Sequence, residues 1–191
     1  MEKYISQTNL ETFYKKELKS LGKEGVQEKV EKKRSEFASG KKASKTIFLS
    51  HSHLDKTIVN KIGLLFDNLN AELYVDWLDK TLPETTNKLT ATAIKTKIQD
   101  CHHFLFLATY HGLRSKWCNW ELGIADSVKS DGKLAILPIQ SKAGNWAGNE
   151  YLQLYPEMKF ENDDLDSLTI NQISIQPLEG KAISLKNWLL T

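Results

Sequence analysis

Apolar runs too short to be core helices alternate, over most of the chain, with stretches in helical register, and this alternation restricts the fold more than any other feature. Thr46-Ile47-Phe48-Leu49, Leu73-Tyr74-Val75, Phe104-Leu105-Phe106-Leu107-Ala108 and Leu134-Ala135-Ile136-Leu137-Pro138-Ile139 read as strands. Between them lie Ile58, Ile62, Leu65, Phe66 and Leu69, then Leu89, Ala93, Ile94 and Ile98, then a helix from Trp117 to about Val128. Uniformly apolar strands joined by helical crossovers imply a parallel sheet covered on both faces. The expected fold is α/β: a three-layer, doubly wound parallel sheet. A fifth strand is expected within residues 156–180, a helical turn over Glu150 to Tyr155, and a closing helix from Ile183 to Leu190. Ligands of such sheets bind beyond the carboxyl ends of the strands. That rule gathers the loops at residues 50–56, 76–88 and 109–117 around one crevice.

The 191 residues, 40% hydrophobic and 26% charged, suffice for one core with an appendage. Residues 1–44 read as a charged helical extension and linker, and residues 45–191 as the α/β domain. Residues 1–45 hold 12 Lys and Arg against 7 Asp and Glu, so the slightly positive chain has a basic arm and a mildly acidic body. In the arm, Leu10, Phe13, Tyr14, Leu18 and Leu21 form a stripe that Gly22 and Gly25 interrupt, and a second helix runs through Val26, Val30 and Phe37. This narrow stripe must lie on the main domain or on another copy of the chain, because an isolated helix of this length is marginal in water. Ala38 to Ser44 reads as a linker. The arm's interleaved Lys and Glu suit a solvated helix, so no nucleic-acid partner is expected. No apolar run approaches the ~18 residues of a membrane helix, and the start lacks a secretory apolar stretch. The expectation is a cytoplasmic protein with no membrane partner.

Familiar nucleotide signatures are missing. No strand is followed by G-x-G-x-x-G, and there is no G-x-x-x-x-G-K-[ST]. Ser50-His51-Ser52-His53 lacks the clustered acids of a phosphate-accepting receiver. His51 and His53 have no adjacent carboxylate pair, and His102 and His103 point to opposite faces of a strand, so no metal site is expected. Cys101 and Cys118 read as two reduced thiols near a core.

The most informative segment is Ser115-Lys116-Trp117-Cys118-Asn119-Trp120-Glu121-Leu122-Gly123-Ile124-Ala125-Asp126. Ser115 is a natural N-cap. With Trp117 at zero and about 100° per residue, Trp120, Ile124, Val128, Ala125, Cys118 and Leu122 fall on one apolar arc. Glu121 falls at about 40°, inside that arc rather than on the wet face of Asn119, Gly123 and Asp126. An inward carboxylate is costly unless paired or used. Two readings stand: an ion pair with one of the chain's two arginines, such as Arg114, or a functional acid. The loop from Asp76 to Lys88 exceeds the usual connection of about 2 to 6 residues, as either a solvated insertion or a functional loop.

Over residues 45–155 these features resemble the Toll/interleukin-1 receptor (TIR) domain family. Ile47-Phe48-Leu49-Ser50-His51-Ser52-His53-Leu54-Asp55 is similar to its opening box. Val75-Asp76, the long loop and Ala93-Ile94 are similar to its second strand, BB loop and following helix. Trp117-Cys118-Asn119-Trp120-Glu121-Leu122 resembles its W-x-x-x-E box. The resemblance implies a flavodoxin-like TIR fold and, as in bacterial members such as the Thoeris antiphage proteins, cleavage of NAD. It gives Glu121 the catalytic role and places Trp117 to stack on nicotinamide, with Ser50, His51 and Asp76 bordering the NAD site and Trp77 covering it. Ser52 and His53 stand where some enzymatic relatives carry basic residues.

NAD would be the substrate, with no bound cofactor. The product would be ADP-ribose, a cyclic ADP-ribose isomer or a conjugate, and a diffusible product would reach a separate effector protein. Self-association would run through the 76–88 loop. The alternative within the family is a non-enzymatic adaptor or virulence mimic acting by TIR–TIR contact. A nucleoside deoxyribosyltransferase on a related layout would also use a buried glutamate but would ignore NAD.

Overall fold

The computed structural model describes residues 3–38, 46–76, 88–130, 132–141 and 150–191. Among them the strands are β1 Ile5–Ser6, β2 Thr46–Ser50, β3 Glu72–Tyr74, β4 His103–Ala108, β5 Leu134–Gln140, β6 Glu157–Phe160, β7 Ile173–Gln176 and β8 Ile183–Ser184. The helices are α1 Gln7–Ala38, α2 Lys56–Asn68, α3 Lys88–Asp100, α4 Tyr110–Arg114, α5 Lys116–Val128 and α6 Leu185–Trp188. The sheet order is β3-β2-β4-β5-β6-β7-β8, with β1 added alongside the end of β5. All pairings from β3 across to β6 are parallel, whereas β6–β7 and β7–β8 are antiparallel. The sheet is thus mostly parallel with an antiparallel edge, a common variant of doubly wound folds.

Side-chain parity along the strands decides which layer each residue joins. Ile47 and Leu49 of β2, Leu105 and Leu107 of β4, and Ala135 and Leu137 of β5 face one way and pack with α1, α2 and Trp188 of α6. Phe48, Phe104, Phe106, Ala108, Leu134 and Ile136 face the other way and pack with Ile94 and Ile98 of α3 and Cys118, Leu122 and Ala125 of α5. On that face Phe48 stacks on Phe104 and Tyr74, with ring centroids 5.6 and 5.5 Å apart. The α/β expectation of helices on both faces is met. Ser50 shares the parity of Phe48, and Asp76 that of Tyr74, so both belong to the α5 side.

The 156–180 stretch holds two strands rather than one. Met158, Phe160, Ile173 and Ile175 alternate with polar neighbours and are buried on one side only, as edge strands are. The closing segment starts as β8, and helix follows only from Leu185, where the Ser184 hydroxyl accepts the Asn187 N–H. Trp188 has no solvent exposure, and its indole N–H donates to the Gly132 carbonyl. Its ring lies 4.2 Å from that of His103, whose pKa burial lowers to about 4, leaving a neutral imidazole against the indole. Trp188→Ala should cost about 3 to 5 kcal/mol, as a shift in the urea midpoint without change in slope.

The basic N-terminal arm joins the body. Ile5, Leu10, Phe13 and Val26 are buried in the same core cluster as α2 and the sheet, while Leu21 is exposed. Lys61 of α2 pairs with Glu11, Lys3 with Asp163, and Lys16 with Asp166 at 2.5 Å. Gly22 breaks the helix with φ 71° and ψ 171°, a conformation open to glycine; Gly25 stays within it. The expected linker after Ala38 lies outside the described residues. No described helix is long and apolar enough to cross a membrane.

Candidate active site

β2 ends at Ser50, β3 is followed by Asp76, and β4 runs into Thr109, so three strand exits open on one edge of the sheet. Helix α5 crosses there, started by Ser115, whose hydroxyl accepts the Cys118 N–H. The buried residues of α5 are Cys118, Glu121, Leu122 and Ala125. The arc drawn from sequence is therefore narrowed: Trp117 (37% exposed) and Val128 (40%) lie at its rim, while Glu121 (6%) lies inside it.

Glu121 is held there by Ser50, whose Oγ donates to its Oε2 at 2.6 Å. No ion pair reaches Glu121 among the described residues, and the guanidinium of Arg114 instead sits 4.5 Å over the ring of Tyr110. Of the two readings open in the sequence, pairing with Arg114 is not what the structure contains. Burial raises the pKa of Glu121 from its ordinary 4.5 to about 8; the Ser50 hydroxyl opposes this and the negative charge of Asp76 adds to it. In the free protein, burial therefore favours the protonated form of this acid.

His51 frames the other side. Its Nδ1 lies 2.8 Å from the Leu49 carbonyl and its Nε2 3.3 Å from Asp76 Oδ1, so both ring nitrogens face oxygen acceptors. The His51 side chain is almost fully buried, whereas Asp76 remains one-third exposed at the crevice edge. Ser50, His51, Asp76 and Glu121 thus come together. Trp117, one turn before Glu121, stands edge-on to Trp120 with centroids 5.0 Å apart and an 88° interplanar angle, and it keeps a solvent-exposed side. Trp77, and the 76–88 loop beyond Asp76 up to Lys88, lie outside the described residues.

Sequence spacing gave no sign of a second buried carboxyl. Asp55, 3% exposed, accepts a 2.5 Å hydrogen bond from Thr109 Oγ1, which joins the exit of β2 to the exit of β4. Cys118 is buried beside Ser50 and Ser115, and burial pushes its thiol up to about 12, so it sits in this wall as a neutral thiol rather than a nucleophile. Among the described residues no group of three or more His, Cys, Asp or Glu is placed to hold a metal ion.

A buried glutamate on a helix crossing the strand exits of a mostly parallel sheet, fronted by an exposed tryptophan one turn earlier, defines a site of a recognisable kind. The family model described as TIR domain matches residues 47–169. The chain belongs to the TIR domain family. It is 33% identical over 147 residues, 75% of this chain and 74% of the relative, to ThsB′ of Bacillus cereus (strain MSX-D12), named a probable 3′ cyclic ADP-D-ribose synthase. It is also 30% identical over 79 residues, 40% of this chain and 21% of the relative, to TIR2 of Cytobacillus dafuensis, provisionally named a cyclic ADP-D-ribose synthase.

Proposed function

We propose that this protein cleaves the nicotinamide–ribose bond of NAD and closes the remainder into a cyclic ADP-ribose isomer, with ADP-ribose formed where water intercepts. The observation that carries this reading is Glu121: a carboxyl buried at the strand exits and held, among the described residues, by a neutral hydroxyl rather than by a cation. The names of the two relatives support NAD as the substrate class and favour cyclisation.

The bond between ribose C1′ and the nicotinamide nitrogen breaks with its electron pair passing to the ring, which leaves neutral. Positive charge then develops on C1′ and the ring oxygen of the ribose. A carboxylate beside the ribose hydroxyls stabilises that charge far better in a dry site than in water. Glu121 must be ionised to do this. The cationic nicotinamide ring of bound NAD supplies the opposite charge that draws its proton off. Attack on C1′ by an oxygen or nitrogen of the same molecule, or by water, completes the step, and one proton goes to solvent for each NAD consumed. Trp117 stacks on the departing ring, Ser50 aims Glu121, and His51 with Asp76 forms the rim. The resemblance gives Trp77 the part of covering the nucleotide, and exclusion of water favours the internal nucleophile. The product acts as a diffusible signal to an effector in antiphage defence, and copies of the protein associate through the 76–88 loop.

Mass spectrometry of the small molecules made from NAD tests this reading. Wild type should yield nicotinamide and a product lighter than ADP-ribose by one water, and Glu121→Ala should yield neither. Cleavage of deoxynucleosides with NAD untouched would move the protein to a different reaction, and full activity in Glu121→Ala would remove that residue from the mechanism.

A further inference from the structure

An aspartate at a helix N-terminus ordinarily accepts an N–H from its own first turn. Asp55 is the N-cap of α2, yet its side chain makes no such bond. It turns instead across the sheet edge to the hydroxyl of Thr109, 2.5 Å away. Thr109 is itself the N-cap of α4, and its Oγ1 accepts the Gly112 N–H at 2.8 Å. One hydroxyl therefore donates to Asp55 and accepts from α4. The five-residue α4 is pressed onto the end of β4: a Cβ on Gly112 would meet the Leu107 carbonyl oxygen at 2.4 Å and Thr109 Oγ1 at 3.2 Å. Only Ser115 separates α4 from α5, so the placement of α4 sets where α5 begins, with Trp117 in its first turn. The other end of the clasp is equally tied, with the Asp55 N–H donating to the Ser52 carbonyl within the loop that begins at His51. Asp55 is also at the positive end of α2, where a negative charge is favoured.

We infer that Asp55 is a positioning residue for the NAD site: through Thr109 it locks α4 to the β2 exit and so fixes the place of Trp117 relative to the loop that carries His51. The inference rests on the NAD-cleaving reading for its kinetic consequence, but its geometric content stands apart from it. Because Asp55 touches Thr109 and no reacting atom, its loss should act mainly on substrate binding. Asp55→Ala and Thr109→Val should each lower kcat/KM by about tenfold or more, chiefly through a higher KM. Asp55→Asn, which keeps an acceptor, and Thr109→Ser, which keeps the hydroxyl, should restore most of that loss.

A readout without NAD accompanies the kinetics: the indole N–H resonance of Trp117 in a ¹⁵N-labelled full-length chain, assigned through Trp117→Phe. It should shift or broaden in Asp55→Ala and Thr109→Val and return in the two conservative variants. Should Asp55→Ala fail to fold, Thr109→Val carries the same test. The idea is overturned if the Trp117 resonance and KM stay at their wild-type values in Thr109→Val, or if Asp55→Asn is as damaged as Asp55→Ala. If wild type fails to turn over NAD, the proposed function falls, and the indole resonances alone decide the role of Asp55.

Discussion

Glu121→Gln should reduce nicotinamide release from NAD by about three orders of magnitude or more while making the folded protein more stable in mild alkali. The first effect follows from the charge demanded by the transition state: glutamine fits the same space and can accept from Ser50, but it cannot offer a full negative charge to the ribose. The second follows from linkage. The folded-state pKa of Glu121 is raised, from 4.5 to about 8, so between those values the unfolded chain gives up a proton that the folded chain retains. Wild type therefore loses stability as pH rises through this window, and the loss is complete once the pH passes about 8. Glutamine has no proton to lose there. The stability gap between variant and wild type should be close to nothing near pH 4.5 and grow to on the order of 3 to 5 kcal/mol above pH 8. Urea denaturation of both proteins at several pH values measures it. A gap that stays flat with pH would mean that Glu121 is ionised in the free protein.

On the proposed mechanism the same acid sets the pH dependence of turnover. Since kcat/KM reports the free enzyme, its acid limb should rise through the free-protein value of Glu121, near 8. The limb for kcat belongs to the complex, in which the cationic nicotinamide ring favours the carboxylate, and it should fall at lower pH by one unit or more, roughly the effect of one close opposite charge. Two variants should move the kcat/KM limb in opposite directions. Ser50→Ala removes a hydrogen bond that favours the ionised form and should push the limb upward. Asp76→Asn removes a negative charge that disfavours it and should bring the limb down. A kcat/KM profile flat from pH 6 to 9 would contradict the assigned role of Glu121.

Much of this arrangement was legible in the sequence, and the reasons lie in particular residues. Period-two parity puts Ser50 on the face of Phe48, and the helical wheel of α5 puts Glu121 inside the apolar arc, because both periodicities are local properties of the backbone. That these two side chains meet across 71 residues is not a local property; the TIR resemblance, not the spacing, drew them together. Trp117 and Val128 match the apolar arc in composition yet sit at its rim, because the width of the buried stripe is set by what packs against the helix. The contact of Asp55 is not legible in the sequence because an aspartate before a helix already has an ordinary explanation, and only the structure reveals that its side chain declines that role. The antiparallel edge was blurred for a similar reason. β6 and β7 are four residues each and half polar, and the acidic stretch between them is tied to Lys3 and Lys16, which are more than 140 residues away in the chain.

The central claim is that NAD binds with its cationic ring close enough to Glu121 to draw off the proton that burial has kept there. A ¹³C NMR titration of the Glu121 carboxyl, with and without a non-cleavable NAD analogue that retains the positive nicotinamide, tests this directly. The carboxyl should titrate near pH 8 in the free protein and at least one unit lower in the complex. Titration at the same pH in both, with the analogue bound, would place the ring away from Glu121 and contradict the account.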